Sequence, residues 1–179
     1  MFYVSELYCD APLVYQTELQ KSVYNVLSKL NIPFERTETD EAITMDDCAS
    51  IEAKMNMHMV KTLFLCDRKQ QKFYLFITRG DKVFNSKEFS HALSIPRVSF
   101  APIPVMEKMM GTKVGAATVF SALLDKEKKV RIVFDKDVLS ETWYGCSDGT
   151  TTGYLKIRTS YILEHFLPYT GHEIFVMEG

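Results

Sequence analysis

The sequence predicts one α/β (α+β) domain in which helices cover a mixed β-sheet. Three observations predict it. Apolar residues recur at helical spacing in some windows, alternate at strand spacing in others, and the two kinds of window interleave along the chain. Helices set between hairpins leave a sheet that is neither purely parallel nor purely antiparallel.

The elements follow in order. Thr17 and Gln20 have the spacing of a capping box, and Leu19, Val23, Val26, Leu27 and Leu30 then fall on one helical face. Asn31 and Pro33 end that helix, and a short extended piece follows at 34–37. Thr44 caps a second helix with Asp46 and Asp47 in its first turn, where carboxylates suit the positive end of the dipole. Residues 60–66 and 72–78 are two strands of a hairpin joined by the polar loop DRKQQ. Ser86 caps a short helix reaching Leu93, and 97–101 is a short strand. A helix starts near Pro104, where a missing N–H costs nothing, and stops at Gly111. Residues 119–124 and 130–134 read as a second hairpin around DKEKK. A strand at 153–157, a helix at 160–167 and a strand at 173–177 close the chain.

Bulk properties narrow the function classes. The 179 residues suit a single domain, 1–179, that buries well over half of its unfolded surface. A net charge of −2 gives no electrostatic reason to expect a duplex nucleic-acid binder, although a protein gripping only the end of a nucleic acid remains compatible with it. Cys9, Cys48, Cys66 and Cys146 show no paired spacing and read as reduced thiols of a cytoplasmic protein. The stretch MFYVSELYCDAPLVY lacks a basic n-region and an unbroken apolar core, and nothing approaches a membrane span. The four histidines share no ligand spacing, so no metal and no cofactor is expected.

Three stretches stand apart from the core pattern. In VKTLFL, Lys61 interrupts an apolar strand, and a buried ammonium must be paired or lose its charge. Spacing alone favours the plainer reading, the solvent-facing first residue of the strand. In GTKVGAATVFSALLD, Gly111 and Gly115 flank small residues running towards a strand, so backbone N–H groups could meet a ligand closely. The plainer reading is a helix cap and a turn. In GCSDGTTTG, Ser147, Thr150, Thr151 and Thr152 offer hydroxyls and Asp148 an acid, while Asp-Gly is by itself a strong turn signal.

The order of these features resembles the aminoacyl-tRNA deacylase (YbaK/ProX) family, related to the editing domain inserted in bacterial prolyl-tRNA synthetases. The likeness is closest to the free-standing PrdX-type prolyl-tRNA editing proteins. It runs through NIPFERTETDEAITMDDC, VKTLFLCDRKQQKFYLFITRGDKVFNSKEFSHAL, MGTKVGAATVFSALLDKEKKVRIVFDKDVL and YLKIRTSYILEHFLPYTGHE. The resemblance implies a partly barrel-like mixed sheet and hydrolysis of the ester of a mischarged tRNA, with alanyl-tRNA for proline as the leading substrate. By it, Lys61 holds the 3′ CCA end, and the backbone between Gly111 and Val119 embraces the ester. Gly115 and Thr118 then serve the reaction, and Thr62, Ala116, Ala117, Val119, Ser147, Asp148 and Thr151 shape the pocket. The implied partners are aminoacyl-tRNA and an aminoacyl-tRNA synthetase such as the prolyl enzyme.

The chain departs from the family pattern in places. Thr62 follows the lysine where the family carries asparagine, Ser147 and Asp148 stand in place of His-Pro, and Thr151 replaces an asparagine. Either the pocket recognises a different aminoacyl group, or the protein is an eroded member that binds aminoacyl-tRNA or an amino acid without turnover. With no histidine between His91 and His165, the proton acceptor is the substrate's neighbouring ribose hydroxyl or Asp148. Other readings of the residues are a thiol hydrolase at Cys146 served by His165 or His172, an RNA contact at Lys126, Lys128 and Lys129, and a base stacked on Trp143 or Tyr144.

Overall fold

Thr17 opens the first helix as its spacing predicts, accepting the Gln20 N–H at 3.0 Å. In the computed structural model, which describes residues 1–42 and 44–178, helix α1 (Glu18–Lys29) runs until Asn31 turns left-handed. Gln20 does not close the box on Thr17 itself. Its carboxamide oxygen accepts the Gln16 N–H at 2.6 Å, and its nitrogen reaches Asp148 at 3.0 Å. Strand β1 (Glu35–Glu38) precedes helix α2 (Met45–Met55), where Thr44 and Asp47 do form a reciprocal capping box.

Strands β2 (Val60–Asp67) and β3 (Phe73–Arg79) form the expected hairpin. Helix α3 (Ser86–Ala92) is capped one residue earlier than its sequence suggests, because the Asn85 side chain accepts the Glu88 N–H at 3.0 Å. After strand β4 (Val98–Phe100), helix α4 (Ile103–Met110) ends at a left-handed Gly111. The expected second hairpin is absent, because 119–123 is a single 3-10 turn (Val119–Leu123) rather than a strand. Thr118 caps that turn by accepting the Phe120 N–H, Ser121 Oγ donates to the Met110 carbonyl, and Phe120 is pinned edge-on against Phe166. Strand β5 (Val130–Asp135) therefore has no partner in that turn and enters the sheet beside β3, in parallel.

The sequence reading leaves out α5 (Lys136–Leu139) and β6 (Trp143–Ser147), which precede β7 (Gly153–Arg158). Helix α6 (Thr159–Tyr161) passes through a π segment (Ile162–Phe166) into α7 (Leu167–Thr170). Pro168 accounts for that widening: it has no N–H to give Glu164, and its ring crowds the carbonyl four residues back. Strand β8 (Ile174–Met177) ends the fold.

Two sheets result: a mixed one ordered β4-β2-β3-β5-β8 and an antiparallel one ordered β1-β7-β6. They do not close into a barrel, which corrects the expectation of a partly barrel-like sheet. Among the described residues one isolated β-bridge, Met59 to Gly145, links their backbones. Strand periodicity divides the core. Phe64 and Cys66 of β2 face the main cluster with α1 and β6, whereas Leu63 and Leu65 face a second cluster under α3. On that second face the Lys82 ammonium bridges Asp135 at 2.7 Å and Asp137 at 2.6 Å, tying the loop after β3 to the end of β5.

Gly145 is the tightest position at the contact between the sheets. A Cβ there would lie 2.5 Å from the Met57 sulfur and 2.9 Å from the His58 carbonyl oxygen. Gly145→Ala is expected to cost about 2 kcal/mol through overpacking and to lower the melting temperature by roughly 4–8 °C in thermal unfolding. A second measurement concerns acid. Burial works to raise the Asp135 carboxyl, but the Lys82 ammonium, the Asp137 N–H and the Thr78 hydroxyl together hold it below the usual range. A lowered native value means the stabilisation is present above the unfolded carboxyl's pKa of about 3.9 and disappears as pH falls through the native value. Chemical denaturation should show wild type more stable than Lys82→Met at neutral pH, with the gap closing below about pH 4.

Candidate active site

Where the sheets diverge from the Met59–Gly145 bridge, they leave a cavity of about 510 Å³. The head of β2 forms one wall, the first turn of α2 and one side of α4 form others, and the glycine loop and the end of β6 close it. Its walls are mostly apolar, and four of its lining residues, Met45, Phe100, Ile103 and Val114, are exposed large hydrophobics. These four were illegible in sequence, since methionine, phenylalanine and branched residues at element ends read as ordinary core.

The loop after α4 gives the cavity its polar wall. Gly111 adopts φ +68 and passes its N–H back to Glu107 at 3.0 Å, ending the helix. Gly115 adopts φ +89, and the turn around it closes with the Ala116 N–H on the Lys113 carbonyl at 3.0 Å. That turn leaves the N–H groups of Gly115 and Ala117 with no acceptor among the described residues, and both residues line the cavity. Two uncovered amides on one wall make a binding place for a carbonyl oxygen or an anion.

The hydroxyls named in the sequence are built into the fold. Ser147 is buried, and its Oγ lies 3.2 Å from the Ala116 carbonyl and 2.8 Å from that of Thr150, while accepting the Gly149 N–H at 2.9 Å. Thr118 is wholly buried and donates to the Ser147 carbonyl at 2.8 Å, so its hydroxyl does not face a substrate. Together they fasten the glycine loop to the end of β6. Val119 is buried at the head of the 3-10 turn, and Ala116 is buried with its carbonyl on Ser147. Thr151 sits on the far side, its hydroxyl 3.3 Å from Glu41, and with Gly111 and Ala116 it lines a separate hollow of about 300 Å³.

Asp148 does not open onto the cavity either. Its carboxylate accepts from Gln20 at 3.0 Å, from the Tyr24 phenol at 2.8 Å, and from the Thr150 hydroxyl at 2.7 Å and N–H at 3.2 Å. Burial, and then the adjacent Asp148 charge, push the Tyr24 phenol far above its ordinary range. A carboxylate held by four donors is a strut, not a free base, which corrects its place as a candidate proton acceptor.

Lys61 is the second residue of β2 and is half-buried rather than solvent-facing. It lines both the cavity and an adjoining hollow of about 510 Å³ that carries His58 and Arg79. Its ammonium donates to the Lys82 carbonyl, and its side chain shares the strand face of Thr78, which lies across from it on β3. Lys61 thus belongs to the partition between the two hollows. Thr62, next along, lines the cavity with Ser147, Gly115 and Ala117.

The thiol reading loses its chemistry here. Cys146 lines the cavity wall, but burial pushes its thiol far above the ordinary range, and among the described residues no histidine lines the cavity. His165 lies against the Tyr161 ring, and His172 is 2.9 Å from buried Asp125. Tyr144 is fully buried and cannot stack on a base, and Trp143 already packs beneath Lys156 and Arg158. In the DKEKK loop, Lys129 pairs with Glu127 at 2.9 Å, and Lys128 lies against Gly171, away from the cavity lining. Among the described residues no group of His, Cys, Asp and Glu could hold a metal ion, and no helix is long and apolar enough to cross a membrane.

Residues 39–164 match the aminoacyl-tRNA editing domain. The prolyl-tRNA editing protein ProX of Acetoanaerobium sticklandii is 26% identical over 125 residues, covering 70% of this chain and 76% of its own length. Prolyl-tRNA synthetase associated domain-containing protein 1 of Danio rerio is 26% identical over 157 residues, 87% of this chain and 84% of its own. A crystal structure assigned as a trans-editing enzyme for prolyl tRNA synthetase superposes with a TM-score of 0.63 at 14% identity, over 92% of this chain and 99% of that one. A crystal structure of a hypothetical protein gives 0.64 at 18% identity, over 87% and 97%. At such identities these two structures establish the fold alone.

Proposed function

The chain belongs to the aminoacyl-tRNA editing-domain family, and from that premise we propose that it is a trans-acting deacylase for a mischarged tRNA carrying a small amino acid. The observation that carries this reading is the pair of amides, Gly115 and Ala117, unengaged among the described residues, on the wall of a mostly apolar cavity. Hydrolysis of the aminoacyl ester adds water oxygen to the carbonyl carbon, breaks the bond to the ribose oxygen and returns a proton to that oxygen. Negative charge gathers on the carbonyl oxygen at the transition state. Preorganised N–H donors aimed there contribute about 3 kcal/mol each in hydrolases.

Among the described residues no histidine or carboxylate lines the cavity. With Asp148 engaged elsewhere, the substrate's own neighbouring ribose hydroxyl orients the attacking water and relays its proton. Lys61, between the cavity and the hollow carrying His58 and Arg79, exchanges the Lys82 carbonyl for a phosphate of the CCA end and fixes its register. The apolar walls admit a small side chain, and alanyl-tRNA for proline is the first substrate to test, with the prolyl-tRNA synthetase the corresponding partner in the cytoplasm.

A second reading, binding without turnover, is favoured by one observation: the hydroxyls of Ser147 and Thr118 are spent on the backbone and leave the cavity without a side-chain base. One assay separates the two. With a panel of correctly and incorrectly charged tRNAs, a deacylase releases free amino acid, and a binder protects the ester. In the deacylase case Lys61→Ala is expected to lower release by roughly 100-fold or more, as for loss of an engaged charge contact, with the melting temperature nearly unchanged. Full activity in that variant removes Lys61 from the site.

A further inference from the structure

Behind the glycine loop lies the hollow of about 300 Å³ that Gly111, Ala116 and Thr151 help to line. Its chemistry is the reverse of the cavity's: apart from Ala116 and glycines, every residue on its walls is polar. Most of these side chains are engaged. Thr17 accepts the Gln20 N–H at 3.0 Å, Gln16 donates to Thr152 at 2.8 Å, and Thr150 donates to Asp148 at 2.7 Å. Three have no side-chain partner among the described residues: Glu107 near the end of α4, and Thr112 and Lys113 just beyond it.

Thr112 is the independent sign of an occupant. It is only 3% exposed, and its Oγ1 has no hydrogen-bond partner among the described residues. A buried hydroxyl without a partner is costly, and native folds rarely leave one so. Oγ1 and Cγ2 exchange places between staggered wells, so a turn about χ1 offers the hydroxyl to a molecule in the hollow. Glu107 and Lys113 add charge. Both are exposed and line the same hollow, yet neither is in an ion pair with the other or with any described residue. The carboxylate repels an anion and the ammonium repels a cation, so the two together suit a ligand that carries both charges. A volume of about 300 Å³ limits that ligand to a small molecule.

We propose that this hollow is a second site, for a small free α-amino acid held as its zwitterion. The ligand's ammonium meets Glu107, its carboxylate meets Lys113, and the Thr112 hydroxyl donates to that carboxylate. The site stands apart from the deacylase reading, since its ligand is free and no ester is involved. It shares only the glycine loop with the cavity: Ala116 lines the hollow, and Gly115 and Ala117 on either side of it line the cavity.

Calorimetric titration with L-alanine, propanoate and ethylamine tests the two charges. L-Alanine is expected to bind with a Kd of about 1 mM or tighter, and each analogue, lacking one charge, roughly fivefold or more weakly. Glu107→Gln and Lys113→Met, both exposed and clear of the cavity lining, are each expected to weaken alanine to the same extent with the melting temperature unchanged. Thr112→Val is expected to weaken alanine without lowering the melting temperature, because valine removes an unpaired hydroxyl at nearly constant shape. In amide-resolved NMR, alanine should move the signals of Gly111, Thr112 and Gly149, in wild type and in Lys61→Ala alike. No saturable binding, equal binding of propanoate or ethylamine, an affinity unmoved in both charge variants, or shifts confined to Lys61, Thr62 and Phe64 of the cavity overturns the proposal.

Discussion

The site depends on one backbone contact, the bridge between Met59 and Gly145. The two sheets share this one isolated backbone bridge among the described residues, and the cavity opens beside it. Residue 145 must be glycine because the Met57 sulfur and the His58 carbonyl already occupy the place of a side chain. The bridge brings the head of β2, with Lys61 and Thr62, opposite the end of β6, with Cys146 and Ser147. A wider junction would merge these walls into core, and a looser one would open them to water.

A second constraint sets the glycine loop in place. An extended β6 end leaves the carbonyl of Ser147 for Thr118, and the Ser147 hydroxyl faces Ala116 across the gap. Asp148 then gathers Gln20, Tyr24 and Thr150 and ties α1 to the same hairpin. Hydroxyls and an acid that could have served chemistry are instead consumed in positioning. What they position is backbone: among the described residues the amides of Gly115 and Ala117 remain unengaged because their neighbours hold the loop without them. Preorganised backbone donors suit a developing oxyanion better than mobile side chains, since they need no reorganisation as charge appears.

Much of the scaffold was legible because its signals are local. Thr17, Thr44 and Gly111 cap what their chemistry says they cap, and the β2–β3 hairpin follows from alternation around DRKQQ. The failures have one cause, tertiary contacts that overrule local pattern. Val119–Leu123 has an apolar run fit for a strand, yet Ser121 on the Met110 carbonyl and Phe120 against Phe166 hold it as a 3-10 turn. In GCSDGTTTG the first three residues finish a strand and only the rest turn, because Gly145 owes its identity to Met57, far off in sequence. The site was legible in part. Lys61, Gly115 and Ala117 were marked by a cation and small residues out of place, whereas Met45, Phe100, Ile103 and Val114 carry no local sign of lining a cavity. Thr118 and Asp148 were misread because a polar residue near a pocket and one holding the pocket up have the same sequence.

A cavity with no histidine or carboxylate among the described residues of its walls can still accelerate the reaction of this family. An aminoacyl ester is activated by its leaving group, so the barrier is lower than for an amide and no covalent nucleophile is required. Two aligned amides at about 3 kcal/mol each would lower it by roughly 6 kcal/mol, on the order of four powers of ten in rate. Holding the ribose hydroxyl and a water beside the carbonyl adds the gain of a positioned reactant. Such chemistry places few demands on side-chain identity around the ester.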